Sequence, residues 1–154
     1  MRKFTLILTI LFLSLITKIS FSQISLPKGF RCVTSEIHQR ENYFSDGNFK
    51  FHSEAWGREV EGASEMKGLM EDNYEHKIVF KKTKDKLYWG SGLYNGQYKY
   101  IVIIPDALTT VVLSCPKKGT QFSNYSAWLL QQIRNNHSAE KDYNLTNYKG
   151  KSCE

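Results

Sequence analysis

Asn95-Gly96 separates two alternating runs, "YWGSGLY" over residues 88–94 and "QYKYIVII" over residues 97–104. A two-residue type I′ turn needs positive φ at both central positions, and Asn-Gly meets that need at little steric cost. The turn sets the register, pairing Tyr94 with Gln97, Leu93 with Tyr98 and Trp89 with Val102. Successive side chains point to opposite faces. One face therefore carries Leu87, Trp89, Leu93, Tyr98, Tyr100, Val102 and Ile104. The other carries Tyr88, Gly90, Gly92, Tyr94, Gln97, Lys99, Ile101 and Ile103. The first set is predicted to look into the core.

The flanking segments extend the hairpin. "HKIVFKK" reads as a strand and "TKDK" as its turn, while Pro105 ends the second run because proline cannot donate to a ladder. "TTVVLSC" returns as a further strand, which completes a four-strand meander. Upstream, "GFRCVTSEIHQRENY" and "FSDGNFKFHSEAW" both alternate around Ser45-Asp46-Gly47-Asn48, a second hairpin. An odd loop with Gly47 in the left-handed region places Phe49 and Phe51 with Val33, Ile37 and Tyr43, and this register is expected. Glu61–Asp72 is a short helix with Met66, Leu69 and Met70 on one face, weakened by Gly62 and Gly68. "FSNYSAWLLQQIRNN" carries Phe122, Tyr125, Leu129 and Ile133 at helical spacing and is expected to cover the first sheet face. The predicted class is α+β: an antiparallel β-sheet of an N-terminal hairpin plus a four-strand meander, with a short helix and a C-terminal helix packed on one face.

The first residues bear on location. Arg2 and Lys3 precede "FTLILTILFLSLI", Lys18 breaks the run, and Ser20 and Ser22 offer a small-x-small exit. That pattern predicts a signal peptide over 1–22, cleaved after Ser22, and a secreted or periplasmic protein with no stable membrane anchor afterwards. Loss of Arg2, Lys3 and Lys18 lowers the 21 basic residues to 18 against 15 acidic ones, a net charge of +3. This is too weak to imply nucleic acid. Residues 23–136 are expected to form one domain, and the polar stretch 137–154 a mobile tail. Of Cys32, Cys115 and Cys153, at most one intramolecular pair can form. Cys32–Cys115 is favoured, since it ties the first strand to the last.

Two strands, a helix, a meander and a closing helix, with "LPKGF" opening the mature chain, resemble the PsbP-like group of small exported domains. The resemblance covers most of the mature chain, rests on the order of elements, and implies a non-catalytic accessory or binding role. It supplies no site residues.

Two constellations are candidate sites. Gly90 and Gly92 flatten the second sheet face between Tyr88 and Tyr94, so these four residues suit a docking partner, a protein or cell-envelope component. The bland alternative is that another part of the chain lies on this face, as the apolar Ile101 and Ile103 suggest. Glu36, His38, His52 and Glu54 fall on the polar side of the N-terminal hairpin in the odd-loop register, with Trp56 near. Two imidazoles and two carboxylates suit a divalent metal such as zinc, although Arg40 and Lys50 on that side oppose a cation. No G-x-S-x-G, phosphate loop or recognisable catalytic cysteine is present. The expected function is a small exported non-catalytic binding or accessory domain without a cofactor. The alternative is a metal-binding protein or metal-dependent enzyme using His38 and His52.

Overall fold

Asn95 and Gly96 take φ values of 49° and 72°, and the chain reverses in two residues as Asn-Gly requires. The structure, a computed structural model, describes residues 22–33, 41–56, 60, 62–136 and 143–153. Along the chain run β1 (Ser22–Ser25), β2 (Arg31–Cys32), β3 (Glu41–Ser45), β4 (Lys50–Ala55), α1 (Ala63–Asn73), β5 (Lys81–Lys82), β6 (Tyr88–Tyr94) and β7 (Gln97–Ile104). A 3-10 turn (Pro105–Ala107), β8 (Thr109–Cys115), α2 (Thr120–Asn136) and β9 (Tyr143–Thr146) follow. The ladder between β6 and β7 pairs Trp89 with Val102 and Tyr94 with Gln97, the register set by the turn.

The main sheet has seven strands in the order β2-β3-β4-β8-β7-β6-β5, with every neighbouring pair antiparallel. β8 lies at its centre, and all of Thr109–Cys115 is buried. Thr109–Cys115 carries no charged side chain, which suits such a position, where both faces are covered. On the first face, Trp89, Tyr100, Val102, Ile104, Val111 and Leu113 pack with Phe122, Leu129 and Ile133 of α2. Phe30, Phe49, Phe51 and Trp128 meet around Tyr125 and Phe51 in edge-on contacts of 5.0–5.9 Å. Leu93 belongs to this face by parity but stands exposed beside the turn.

The two helices do not share a face. Met66 and Met70 of α1 pack on the second face against Ile101, Ile103 and Val112, together with Ile78 and Phe80. The α+β class and the antiparallel sheet are as expected.

Four local expectations are corrected. The β3–β4 loop is even, not odd, because Ser45 pairs with Lys50 across residues 46–49. Asp46 Oδ1 accepts from the amides of Asn48 and Phe49 at 2.9 and 2.8 Å, which closes a four-residue turn with Gly47 at φ 100°. One more loop residue moves every later side chain to the opposite face. Phe44 therefore joins Phe51 in the core, and Tyr43 stacks on His52 instead. Second, "HKIVFKK" contributes only Lys81–Lys82 as strand; Ile78 and Phe80 turn down onto the second face while Val79 points outward.

Third, Cys32 pairs with Cys153, at a Cα separation of 5.5 Å, and Cys115 remains a buried thiol. Cys32 on β2 lies three strands from β8, about 14 Å at ordinary strand spacing. No disulfide spans that distance. Fourth, residues 143–153 are not a mobile tail. β9 pairs parallel with β1, and Ile24, Leu26, Tyr143 and Leu145 are buried in the first-face core. The few apolar residues in a polar stretch suffice, because alternation aims Tyr143 and Leu145 the same way. No helix among the described residues is long and apolar enough to cross a membrane.

Candidate ligand-binding surface

The face expected to receive a partner is occupied by the chain itself. Residues 77–80 lie directly on Gly90 and Gly92. A Cβ at Gly92 would stand 2.8 Å from the Lys77 carbonyl oxygen, and one at Gly90 would stand 2.8 Å from Ile78 Cγ2. The crossing segment is pinned to α1, since the Phe80 amide donates to Glu71 Oε1 at 3.0 Å while Glu71 Oε2 holds Lys67 at 2.7 Å. Those two donors keep the Glu71 carboxylate below its usual range, the Lys67 hydrogen bond first. Tyr88 and Tyr94 pack against this second-face core, and Tyr94 meets Tyr74 edge-on at 5.1 Å. Tyr88, Gly90, Gly92 and Tyr94 thus hold α1 and its following segment to the sheet. The groove expected between the two tyrosines is filled by residues 77–80.

Beyond α1 the same face presents a different surface. Lys50 of β4, Ser114 of β8 and Lys99 of β7 are register partners in one row across three adjacent strands. Partners in a ladder share a face. Two strand spacings put the backbones of Lys50 and Lys99 about 10 Å apart, with Ser114 between them. His52 follows two residues after Lys50, on the same side. Its ring stacks on Tyr43 with centroids 4.9 Å apart. Lys50 Nζ lies 4.4 Å above the Tyr43 ring and Lys99 Nζ 5.8 Å from the Tyr74 ring. Two lysines, a histidine and a serine are thereby walled by tyrosines.

The electrostatics follow from partial burial of like charges. Burial and then the Lys50 charge lower the Lys99 pKa, and burial lowers that of Lys50. His52 is pushed down from 6.5 to about 3, chiefly by burial, then by Lys99 and Lys50. At neutral pH the imidazole is uncharged between two ammonium groups. Burial, followed by Glu54 and Tyr94, raises the Tyr74 phenol to about 12, so it remains a hydrogen-bond donor.

The depressed imidazole has a consequence for stability. Below pH 6.5 the unfolded chain takes up a proton at His52 that the folded chain refuses. Stability therefore falls as pH drops from 6.5 towards 3, by about 1.4 kcal/mol per unit, with no effect above this window. Tyr43, Lys50, Lys99 and Glu54 are the titratable groups around it. Urea unfolding at pH 7 and pH 5 is expected to cost the wild type about 2 kcal/mol more than His52→Gln. Equal losses would place the ring in water.

Of the residues expected to bind metal, His52 and Glu54 lie on this face, whereas Glu36 and His38 fall outside the described residues. The even loop joins His52 to Tyr43, and the two lysines repel a cation. Among the described residues no three His, Cys, Asp or Glu side chains come together as a metal set. Lys99, Ser114, Tyr43 and Tyr74 are not singled out by sequence reasoning. They meet only because β8 lies between β4 and β7, an adjacency with no local sequence signal. No family model, curated protein or solved structure matches the chain.

Proposed function

We propose that this chain is a small exported, non-catalytic binding domain whose ligand presents an anionic group to Lys50, Ser114 and Lys99. The observation that carries the reading is the convergence of two part-buried lysines on one row, beside an imidazole that burial, and then their charge, keep neutral. Such an arrangement holds repulsion that a carboxylate, phosphate or sulfate relieves, and charge-assisted hydrogen bonds are the stronger kind. Tyr43 and Tyr74 frame the position with aromatic faces, in keeping with a protein or cell-envelope partner. An imidazole with a pKa near 3 is a poor general base at neutral pH, which disfavours hydrolytic chemistry.

Export by a cleaved signal is part of the proposal. The Cys32–Cys153 disulfide supports it, because such bonds persist in oxidising compartments. A PsbP-like accessory role belongs to the same proposal, on the sequence resemblance alone.

Titration of the mature domain with inorganic phosphate, followed by amide chemical shifts, tests the site. Saturable shifts at Lys50, Lys99 and Ser114 are expected, with affinity about tenfold weaker in Lys50→Ala/Lys99→Ala, as for one lost charge-assisted hydrogen bond. Wild type and variant that bind alike would remove the surface from consideration. Stoichiometric metal in the native protein would favour the metal-binding alternative.

A further inference from the structure

On the first face, where β8 gives way to α2, sheet and helix diverge around a cavity of about 300 Å³. Its walls are apolar: Phe49 from the β3–β4 turn, Cys115 and Pro116 at the end of β8, and Phe122 from the first turn of α2. Lys117 and Lys118, both exposed, stand among its lining residues. None of those residues carries a carboxylate. Asp46, in the adjoining turn, has Oδ1 engaged by the amides of Asn48 and Phe49. The Cys115 thiol donates to the Lys117 carbonyl at 3.3 Å, and burial pushes its pKa up, so this wall is uncharged. The first N–H groups of α2 lack carbonyl partners within the helix and add positive potential on the same side.

We infer that this cavity binds a small amphipathic carboxylate, with its apolar body between Phe49 and Phe122 and its head group at Lys117 and Lys118. The volume lies at the lower end of the range for small-molecule sites, about 300–1,000 Å³, and suits a short chain or a single ring. An apolar interior whose charged lining residues, Lys117 and Lys118, are both cationic selects an acid over the corresponding alcohol or amine. Phe122 belongs to the first-face core and Phe49 packs against it, whereas Lys50 and Lys99 lie on the second, so the two sites are on opposite faces of the sheet.

Octanoate, with octanol and octylammonium as neutral and cationic counterparts, is the probe. Titration of the mature domain is expected to give saturable amide shifts confined to Phe49, Cys115 and Thr120–Phe122. Octanol should bind about tenfold more weakly, the effect of one charge-assisted hydrogen bond, and octylammonium more weakly still. Lys117→Ala/Lys118→Ala, which removes only exposed side chains, should bring octanoate down to the affinity of octanol. Lys50→Ala/Lys99→Ala should leave octanoate binding unchanged. Bound octanoate should also slow alkylation of Cys115, an independent report from the cavity wall. Absence of saturation below the micellar concentration, equal affinity for the three head groups, or shifts at Lys50 and Lys99 instead would each overturn the assignment.

Discussion

Reduction of the Cys32–Cys153 disulfide should lower the stability of the domain by up to about 5 kcal/mol, the chain-entropy effect of closing so long a loop. The bridge spans 121 residues of sequence, so it closes nearly the whole domain into one loop. Its effect acts on the unfolded chain, which loses conformational freedom when its ends are tied. In the folded state Cys32 and Cys153 pack, partly buried, against the first-face core. Calorimetry with and without reductant should show a fall in Tm of roughly 10–20 °C for a domain of this size. Cys32→Ser/Cys153→Ser should match the reduced protein, and Cys115→Ala should keep the full response to reductant. A Tm indifferent to reductant, or Cys115 found in the bridge by peptide mapping, would contradict the pairing.

Substitution of Gly92 is the second large effect. Its missing Cβ leaves the space that residues 77–80 use to lie on β6. The atom in the way at 2.8 Å is the Lys77 backbone oxygen, with Ile78 Cγ1 at 2.9 Å. A backbone oxygen cannot swing aside, so the segment must lift and take Ile78 out of the second-face core. Gly92→Ala is expected to cost about 2 kcal/mol and Gly92→Val about 3 kcal/mol or more, as for overpacked cores. The reduced freedom of the unfolded chain offsets this by only about 0.4–1 kcal/mol. Gly68, inside α1 with nothing within 4 Å of its would-be Cβ, serves as the contrast. Gly68→Ala should stabilise by about 0.5–1 kcal/mol through helix propensity. A neutral Gly92→Ala would mean that residues 77–80 lie elsewhere, and would reopen the Tyr88–Tyr94 face as a surface.

The second effect bears on the candidate site. α1 and the segment after it are seated by Gly90 and Gly92, and Tyr74 at the end of α1 forms one wall of the lysine row. Lifting the segment should therefore weaken anion binding as well as stability. A substitution at Lys50 or Lys99 should weaken binding alone.

The meander was legible because its information is local. Asn95-Gly96 decides its own φ values, proline marks the strand ends, and the spacing of Phe122, Leu129 and Ile133 identifies the buried side of α2. The N-terminal hairpin differs from its expected register by one loop residue. The preference for Tyr43 over Phe44 in the core weighed apolar pattern without the Asp46 side chain that closes a longer turn. The polar composition of 137–154 likewise concealed Leu145, whose burial depends on finding β1 more than a hundred residues away.

Short-range geometry in the amino-acid order therefore determined the last three strands of the meander, the two helices, the side of β6–β7 that faces α2 and the α+β class. Only the tertiary structure decided that β8 sits between β4 and β7, that Cys32 meets Cys153, and that the glycine-bearing face is covered. The physical reason is common to all three. Each depends on contacts between separate elements, and such contacts are selected by the joint burial of many side chains, leaving no periodicity in any one stretch. Lys50, Ser114 and Lys99 are ordinary residues in three separate strands until packing aligns them.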